Sequence, residues 1–277
     1  MGTGFFTDTT LCIGCKACEV ACKQWNELPA DGYEFTGDSY DNTSALGGTT
    51  WRHVAFIESA PDAPGAPPTL NRWVMMSDVC KHCTNAGCME ACPTGAIIRN
   101  EFEDVFIQPD ICNGCGYCVP SCPFGVVDLI DHQVIKPRFA SDGRTNDNAL
   151  QNRGGVAGKC TLCYDRQKAG LVPACAKACP TDSIQFGDVD ELKVRARKRV
   201  EQLQARGVDA SLYGVDEDTS VGDLNAFFLL TGPPAAYNLP AWPVLPSTRQ
   251  PAGYVSATLA ASVLALIGVA ILRRRTA

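Results

Sequence analysis

The chain has 277 residues, enough for one large domain or two small ones with a sizeable core. Apolar residues at 45% and charged residues at 19% are the balance of a globular protein, and a formal net charge of −6 excludes nucleic-acid binding as its main task. The outlier is cysteine, at 16 against 3 His and 4 Met, in a chain too long to be a small disulfide scaffold.

The first residues, "MGTGFFTDTTLCIGC", have neither a basic n-region nor an apolar h-region, so no export signal is expected there. Loading of the thiols in a reducing cytoplasm follows from that reading. The sixteen cysteines then fall into four groups of four with none left over. They are Cys12, Cys15, Cys18 and Cys22; Cys80, Cys83, Cys88 and Cys92; Cys112, Cys115, Cys118 and Cys122; Cys160, Cys163, Cys175 and Cys179. Each group opens with CxxC and closes with CxxxC. Pro93, Pro123 and Pro180 directly follow the last cysteine of the later three, and Lys23 holds that place in the first.

This spacing points to iron–sulfur clusters. Three thiolates line a tight loop around one side of a cluster, and the fourth, four residues on, faces a different one, as in two-cluster ferredoxins. The proline donates no backbone hydrogen bond and turns the chain away. Gly14, Gly114 and Gly116 lie between ligands, where the backbone must approach inorganic sulfur. A zinc ribbon needs two separated CxxC pairs per ion. The second and fourth groups alone allow that reading; the first and third do not. Sixteen ligands at four per cubane predict four [4Fe–4S] clusters, with iron as the metal.

Only 19 residues separate Cys92 from Cys112, with one strand-like run, "DVFIQ" (104–108), between them. That is the compact spacing of a two-cluster ferredoxin, so the second and third groups pair, leaving the first and fourth to pair with each other. The expected quartets are Cys12, Cys15, Cys18 with Cys179; Cys22 with Cys160, Cys163, Cys175; Cys80, Cys83, Cys88 with Cys122; and Cys92 with Cys112, Cys115, Cys118.

The expected fold is α+β: two ferredoxin-like two-cluster modules, one inserted in the other, plus a C-terminal transmembrane helix. Residues 1–79 and 135–190 form the outer module and 80–134 the inserted one. An extension (191–250), the membrane helix (251–273) and a cytoplasmic tail (274–277) follow. "CPTGAIIR", "CPFGVVDL" and "CPTDSIQF" each predict a turn into a short strand, while "EVAC", "MEAC" and "AKAC" predict helical turns. Strands are predicted at 51–58 and 72–77, joined by a proline-rich loop, and a helix at 188–207 with a glycine stop. Residues 141–158 read as a polar, exposed loop. His53, His82 and His132 each stand alone. His82, inside a cluster loop, is expected to donate to cluster sulfur or solvent, and Asp165 with Arg166 to form a simple ion pair, with pairing to a neighbouring subunit as the alternative.

Residues 252–272, "AGYVSATLAASVLALIGVAIL", carry no charge and precede "RRR". At about 1.5 Å per residue they reach roughly 30 Å, enough to cross a bilayer's hydrocarbon core. The arginines place the C-terminus in the cytoplasm and the cluster domain on the outer, periplasmic side; the alternative is a cytoplasmic cluster domain. Trp242 and Tyr254 are expected as interfacial anchors, and the small residues Gly253, Ala257, Ala261 and Ala265 as a face for another membrane helix. With no leader, the domain would cross folded beside a partner carrying a twin-arginine signal. No triad, phosphate loop or dinucleotide fingerprint is present, so no catalytic site of its own is expected.

"CIGCKACEVACKQWNE", "CKHCTNAGCMEACPTGAI", "CNGCGYCVPSCPFGV" and "KCTLCYDR…PACAKACPTDSI", followed by one C-terminal apolar helix, resemble the iron–sulfur (beta) subunit of membrane-bound respiratory formate dehydrogenase. The match covers nearly the whole chain and departs at the long 141–158 loop. The cysteine pattern is shared more widely among electron-transfer subunits of molybdopterin oxidoreductases and some hydrogenases. The resemblance implies an electron-transfer subunit in anaerobic respiration. Its implied partners are a molybdopterin alpha subunit, with molybdenum or tungsten, that oxidises formate, and a cytochrome b gamma subunit in the lipid bilayer that reduces quinone. It also implies that the module of the first and fourth groups faces alpha and the other faces gamma. A beta subunit of a hydrogenase or another molybdopterin oxidoreductase is the alternative.

Overall fold

A computed structural model of the chain describes residues 2–30, 43, 45–58, 73–130, 155–216 and 218–276. The first strand, β1 (Thr3–Asp8), divides two cores. Successive side chains of a strand point to opposite faces. Phe6 accordingly joins an apolar core with Phe227, Phe228 and Leu192, whereas Phe5 joins a core rich in thiols. Both rings are buried, and Phe6 stacks on Phe227 at 5.6 Å between centroids.

Three strands from late in the chain complete this sheet. The order is β8 (Ile184–Asp188), β1, β10 (Ala226–Leu230), β9 (Ser211–Tyr213). β10 runs parallel to β1 and the other pairings are antiparallel. β10 reads AFFLL and is buried throughout, the continuous apolar run of a strand covered on both faces. Each such large side chain removed from water stabilises the fold by ~1.5–3 kcal/mol. Two strands of the 191–250 stretch, β9 and β10, thus lie in the sheet that also carries β1.

Helix α6 (Val189–Gln204) packs on this sheet through Val189, Leu192, Ala196 and Leu203. Its start follows from Asp188, whose carboxylate accepts from the Asp190 N–H at 3.0 Å and the Glu191 N–H at 3.2 Å. Its end follows from Gly207, at φ 78°, after which Val208 N–H returns to Leu203 O at 3.0 Å. The predicted helix and its glycine stop are both present.

Shorter elements carry the cysteines. Helix α1 (Ala17–Asn26) holds Cys18 and Cys22; α2 (Gly87–Glu90) holds Cys88; α3 (Cys118–Ser121) begins at Cys118; α4 (Tyr164–Lys168) follows Cys163; and α5 (Ala174–Lys177) holds Cys175. The strands predicted after the second, third and fourth groups are β4 (Ile97–Arg99), β6 (Asp128–Ile130) and β8. The predicted 104–108 run is β5 (Val105–Ile107), paired with β4. The strands predicted at 51–58 and 72–77 form an antiparallel ribbon, β2 (Arg52–Glu58) with β3 (Trp73–Val79).

One expectation is corrected here. The 141–158 stretch ends in a buried strand, β7 (Val156–Gly158), paired with β6, where an exposed loop was expected. Val156 and Ala157 enter the core around Cys88, Cys112 and Cys118. Gly158 has no room for a side chain, since a Cβ there would lie 2.1 Å from Ile130 Cδ1. Residues 141–154 lie outside the described ones, as does His132.

The last helix, α7, runs from Gln250 to Thr276. Its described side chains, 254–267, are all exposed. Among the described residues, no helix is long and apolar enough to cross a membrane. The span expected at 252–272 extends beyond those side chains at both ends.

Candidate metal centres

Each cysteine group is a loop that enters a short helix, and the loops share a backbone device. Residues in the left-handed region recur inside them: Gly14 and Lys16, His82, Gly114 and Gly116, Leu162 and Cys163. Alternating right- and left-handed residues turn successive N–H groups into one concavity, a cradle for an anionic group such as a cluster. Gly114 shows why glycine is required. Its φ is 70°, and a Cβ would lie 2.1 Å from the Gly155 carbonyl oxygen.

The helices bring distant groups together. α1 packs on α5, uniting the first and fourth groups, and α2 packs on α3, uniting the second and third. The thiols that act electrostatically on one another follow that geometry. Cys12 is flanked by Cys179 and Cys15. Cys22 is flanked by Cys160, Cys175 and Cys163. Cys83 faces Cys80, Cys122 and Cys88. Cys118 faces Cys112, Cys115 and Cys92. Across these sets, Cys18 also feels Cys175, Cys160 feels Cys80, and Cys88 feels Cys118.

Burial raises Cys12, Cys18, Cys22, Cys83, Cys88, Cys118, Cys160 and Cys163, and neighbouring thiols raise them further. Cys18, Cys88 and Cys163 are pushed up to about 12, and Cys118 to about 11. Iron must therefore displace protons that the folded chain holds. Hydrogen bonds favour the charged form locally. Ser77 Oγ lies 3.2 Å from Cys18 Sγ; the Leu162 N–H donates to Cys160 Sγ at 3.3 Å and the Ala157 N–H to Cys112 Sγ at 3.4 Å. At Cys92 burial is the largest single influence and raises the thiol, but the donors from Thr94, Ile97 and Ala96 together outweigh it, and its pKa is lowered. Hydrogen bonds to ligand sulfur are one of the levers on cluster potential.

Two thiols, Cys15 and Cys115, are exposed, while the others are buried or half-buried. Each has apolar neighbours on the surface: Ile13 beside Cys15, and Ile111 and Tyr117 near Cys115.

Of the isolated histidines, His53 and His82 lie among the described residues. His53 is buried, with Nδ1 3.2 Å from Thr43 Oγ. The His82 ring accepts the Val105 N–H on Nδ1 at 3.2 Å, so Nε2 carries the proton. His82 is fully buried, which removes solvent as the recipient, and Nε2 has no hydrogen-bond partner among the described residues. Burial, then Lys159, Arg99 and Arg52, hold its pKa well below the usual range. The Asp165–Arg166 ion pair is also corrected, because Trp25 lies between the two functions. Asp165 accepts from Trp25 Nε1 at 2.9 Å, while the Arg166 guanidinium sits 4.2 Å from the Trp25 ring and its Nε donates to Val172 O.

Comparison with known proteins agrees with this chemistry. Two family descriptions, each reading "4Fe-4S dicluster domain", match residues 71–136 with 146–189, and residues 11–96. The chain is similar to the formate dehydrogenase iron-sulfur subunit of Haemophilus influenzae, 36% identical over 234 residues, 83% of this chain and 66% of that protein. It is similar to the formate dehydrogenase-O iron-sulfur subunit of Escherichia coli, 34% identical over 275 residues, 95% of this chain and 82% of that protein. The chain belongs to this family of iron–sulfur subunits. The thiosulfate reductase electron transfer subunit of Salmonella typhi is 36% identical over 211 residues, 74% of this chain and 88% of that protein.

An iron–sulfur subunit is the electron-transfer part of an oxidoreductase complex. Two dicluster domains and sixteen cysteines fit four [4Fe–4S] clusters. The structure supports that fit independently, because buried donors remain for anionic groups to take up: Arg52 Nε and Nη2 and His82 Nε2 have no hydrogen-bond partner among the described residues.

Two buried residues beside the thiols escape a reading of cysteine spacing. Arg52 and Lys159 are both buried cations, at 1% and 2% exposure. Lys159 donates to Val105 O and, at 3.1 Å, to Cys160 O. The thiols nearest it electrostatically are Cys80, Cys88 and Cys160, from two groups. The available signal was modest: an arginine sharing one strand face with Val54, and a lysine directly before a ligand.

Proposed function

We propose that this iron–sulfur subunit passes electrons from a formate-oxidising molybdopterin catalytic subunit, with molybdenum or tungsten, to a membrane cytochrome b that reduces quinone. The observation that carries the reading is the packing of the four cysteine groups in pairs, first with fourth and second with third, with one exposed thiol in each pair. In this reading the quartets are Cys12, Cys15, Cys18, Cys179; Cys22, Cys160, Cys163, Cys175; Cys80, Cys83, Cys88, Cys122; and Cys92, Cys112, Cys115, Cys118. When bound, each cubane supplies one-electron carriage. The chain's own residues ligate, exclude water and donate hydrogen bonds to sulfur.

The packing of α1 on α5 and of α2 on α3 supports two modules, that of the second and third groups inserted in that of the first and fourth. The exposed Cys15 end, with Ile13, faces the catalytic subunit. The exposed Cys115 end, with Ile111 and Tyr117, faces the membrane subunit. Residues 252–272 anchor the chain in the bilayer with the cluster domain outside and the C-terminus in the cytoplasm. Exposed Trp242 and Tyr254 support an interfacial position for the start of that helix. Protease treatment of intact cells carrying a tag after Ala277 tests the topology: the tag should survive, and digestion from outside reverses the assignment.

The similarity to a thiosulfate reductase subunit favours a second reading, service to another molybdopterin oxidoreductase. One experiment separates them. The native complex is purified anaerobically, its subunits are identified, and formate is added. Cluster reduction by formate is expected. Silence with formate but reduction with another donor, such as hydrogen, contradicts it.

A further inference from the structure

The most unusual group outside the ligand set is Arg52. It lies on β2, at 1% exposure, with its guanidinium carbon 4.6 Å from the centre of the Phe5 ring. One nitrogen, Nη1, donates to Ser77 Oγ at 3.1 Å. That same hydroxyl lies 3.2 Å from Cys18 Sγ. The other two nitrogens, Nε and Nη2, have no hydrogen-bond partner among the described residues, and the salt bridges of those residues include none to Arg52.

A buried, unpaired guanidinium is strongly destabilising by itself. Burial works to lower its pKa, yet the thiols of Cys175, Cys18, Cys160 and Cys22 outweigh burial and hold it above its ordinary value. Those four come from both quartets of the first-and-fourth-group module: Cys18 from one, and Cys22, Cys160 and Cys175 from the other. Among the described residues the charge has no carboxylate partner; beside the Phe5 ring and Ser77, the groups that act on it most are thiols.

We propose that Arg52 is a fixed countercharge shared by the two clusters of this module, raising the reduction potential of both. The proposal rests on the quartet assignment above. Four thiolates leave a cubane site net negative, and each electron added makes it more so. Two such sites in a low-dielectric interior repel, so the second electron is harder to place than the first. A permanent cation between them lowers the energy of each reduced state and offsets part of that repulsion. Arginine suits the place better than lysine because it keeps its proton at any accessible pH and holds Ser77 with one arm of a rigid fork, leaving two donors for sulfur. Arg52 is a positioning and tuning residue: it supplies charge to the ligand shell and takes no proton or electron itself.

The test is a redox titration of the full, cluster-loaded chain followed by EPR, comparing wild type with Arg52→Gln and Arg52→Lys. In Arg52→Gln, two of the four midpoint potentials should fall and two should stay. In Arg52→Lys, which keeps the charge and loses the fork, both affected potentials should return most of the way. Four unchanged potentials in a fully loaded Arg52→Gln protein overturn the proposal. So does a fall in Arg52→Lys as large as in Arg52→Gln, which would mean packing rather than charge. Should Arg52→Gln fail to take up clusters, Arg52→Lys alone still decides, because potentials well below wild type contradict the proposal and near-wild-type values support it. The quartet assignment fails differently, through the number of clusters lost when single cysteines are replaced.

Discussion

Cys18 and Cys22 sit one helical turn apart on α1 and share Cys175 as a neighbour, but Cys18 also has Cys12 beside it, and Cys22 has Cys160 and Cys163. In the proposed quartets, a four-residue step on one short helix joins two metal centres. Cys18→Ser should damage the centre shared with Cys12, Cys15 and Cys179, and Cys22→Ser the one shared with Cys160, Cys163 and Cys175. Iron and acid-labile sulfide counts, with EPR of the reduced protein, read the result. Signals from the centres of the second and third groups should persist in both variants. Their joint loss contradicts the assignment.

Ser77 joins a ligand to a cation through one hydroxyl, 3.2 Å from Cys18 Sγ and 3.1 Å from Arg52 Nη1. A hydrogen bond to ligand sulfur stabilises the reduced, more negative state more than the oxidised one. Removing it in Ser77→Ala should lower that centre's potential by the worth of a modest hydrogen bond, ~1 kcal/mol or about 40 mV for one electron. An unchanged or raised potential in the same titration excludes the hydroxyl as a tuning group.

Gly114 and Gly95 both have positive φ, but only Gly114 is crowded, with the Gly155 carbonyl 2.1 Å from a built Cβ. Gly95 has nothing within 4 Å. Gly95→Ala should cost about 1–2 kcal/mol from the left-handed backbone alone. Gly114→Ala should cost more and lose the iron held by Cys112, Cys115 and Cys118. Thermal unfolding with iron analysis compares the two. Equal cost and full iron in both would show that the third loop tolerates displacement.

Asp104 carries the clearest pH signature outside the ligands. Burial raises its carboxyl to about 7, against donors from Gln167 at 2.7 Å and Asn100 at 3.4 Å and the charges of Lys159 and Arg99. The folded state therefore holds a proton that the unfolded chain releases at about 4. Its contribution to stability is complete below about pH 4 and is lost as pH rises through about 7. Asp104→Asn should flatten the pH dependence of the unfolding midpoint in that window. A slope equal to wild type would show that Asp104 titrates normally.

Cysteine spacing made the chemistry legible in the sequence, because the ligand pattern and its prolines are local. The same holds for helix α6, whose Asp188 cap and Gly207 stop are adjacent to it. Long-range packing was less legible. Nothing local in "VAG" at 156–158 distinguishes strand β7 from the polar stretch before it; its pairing with β6 and burial against Cys112 decide it. Nor does "AFFLL" announce that β10 will lie parallel to β1, more than 200 residues earlier. Arg52 was hidden for the opposite reason: strand alternation places it inward, but only the folded arrangement of four cysteines around it explains an arginine there.

The account rests on cubane centres held by four cysteine quartets. Metal and acid-labile sulfide analysis of the full chain, purified under strict anoxia, tests it most directly. It should give four irons and four sulfides for each quartet, with broad visible absorption lost on reduction. A colourless protein containing zinc and no sulfide would contradict it.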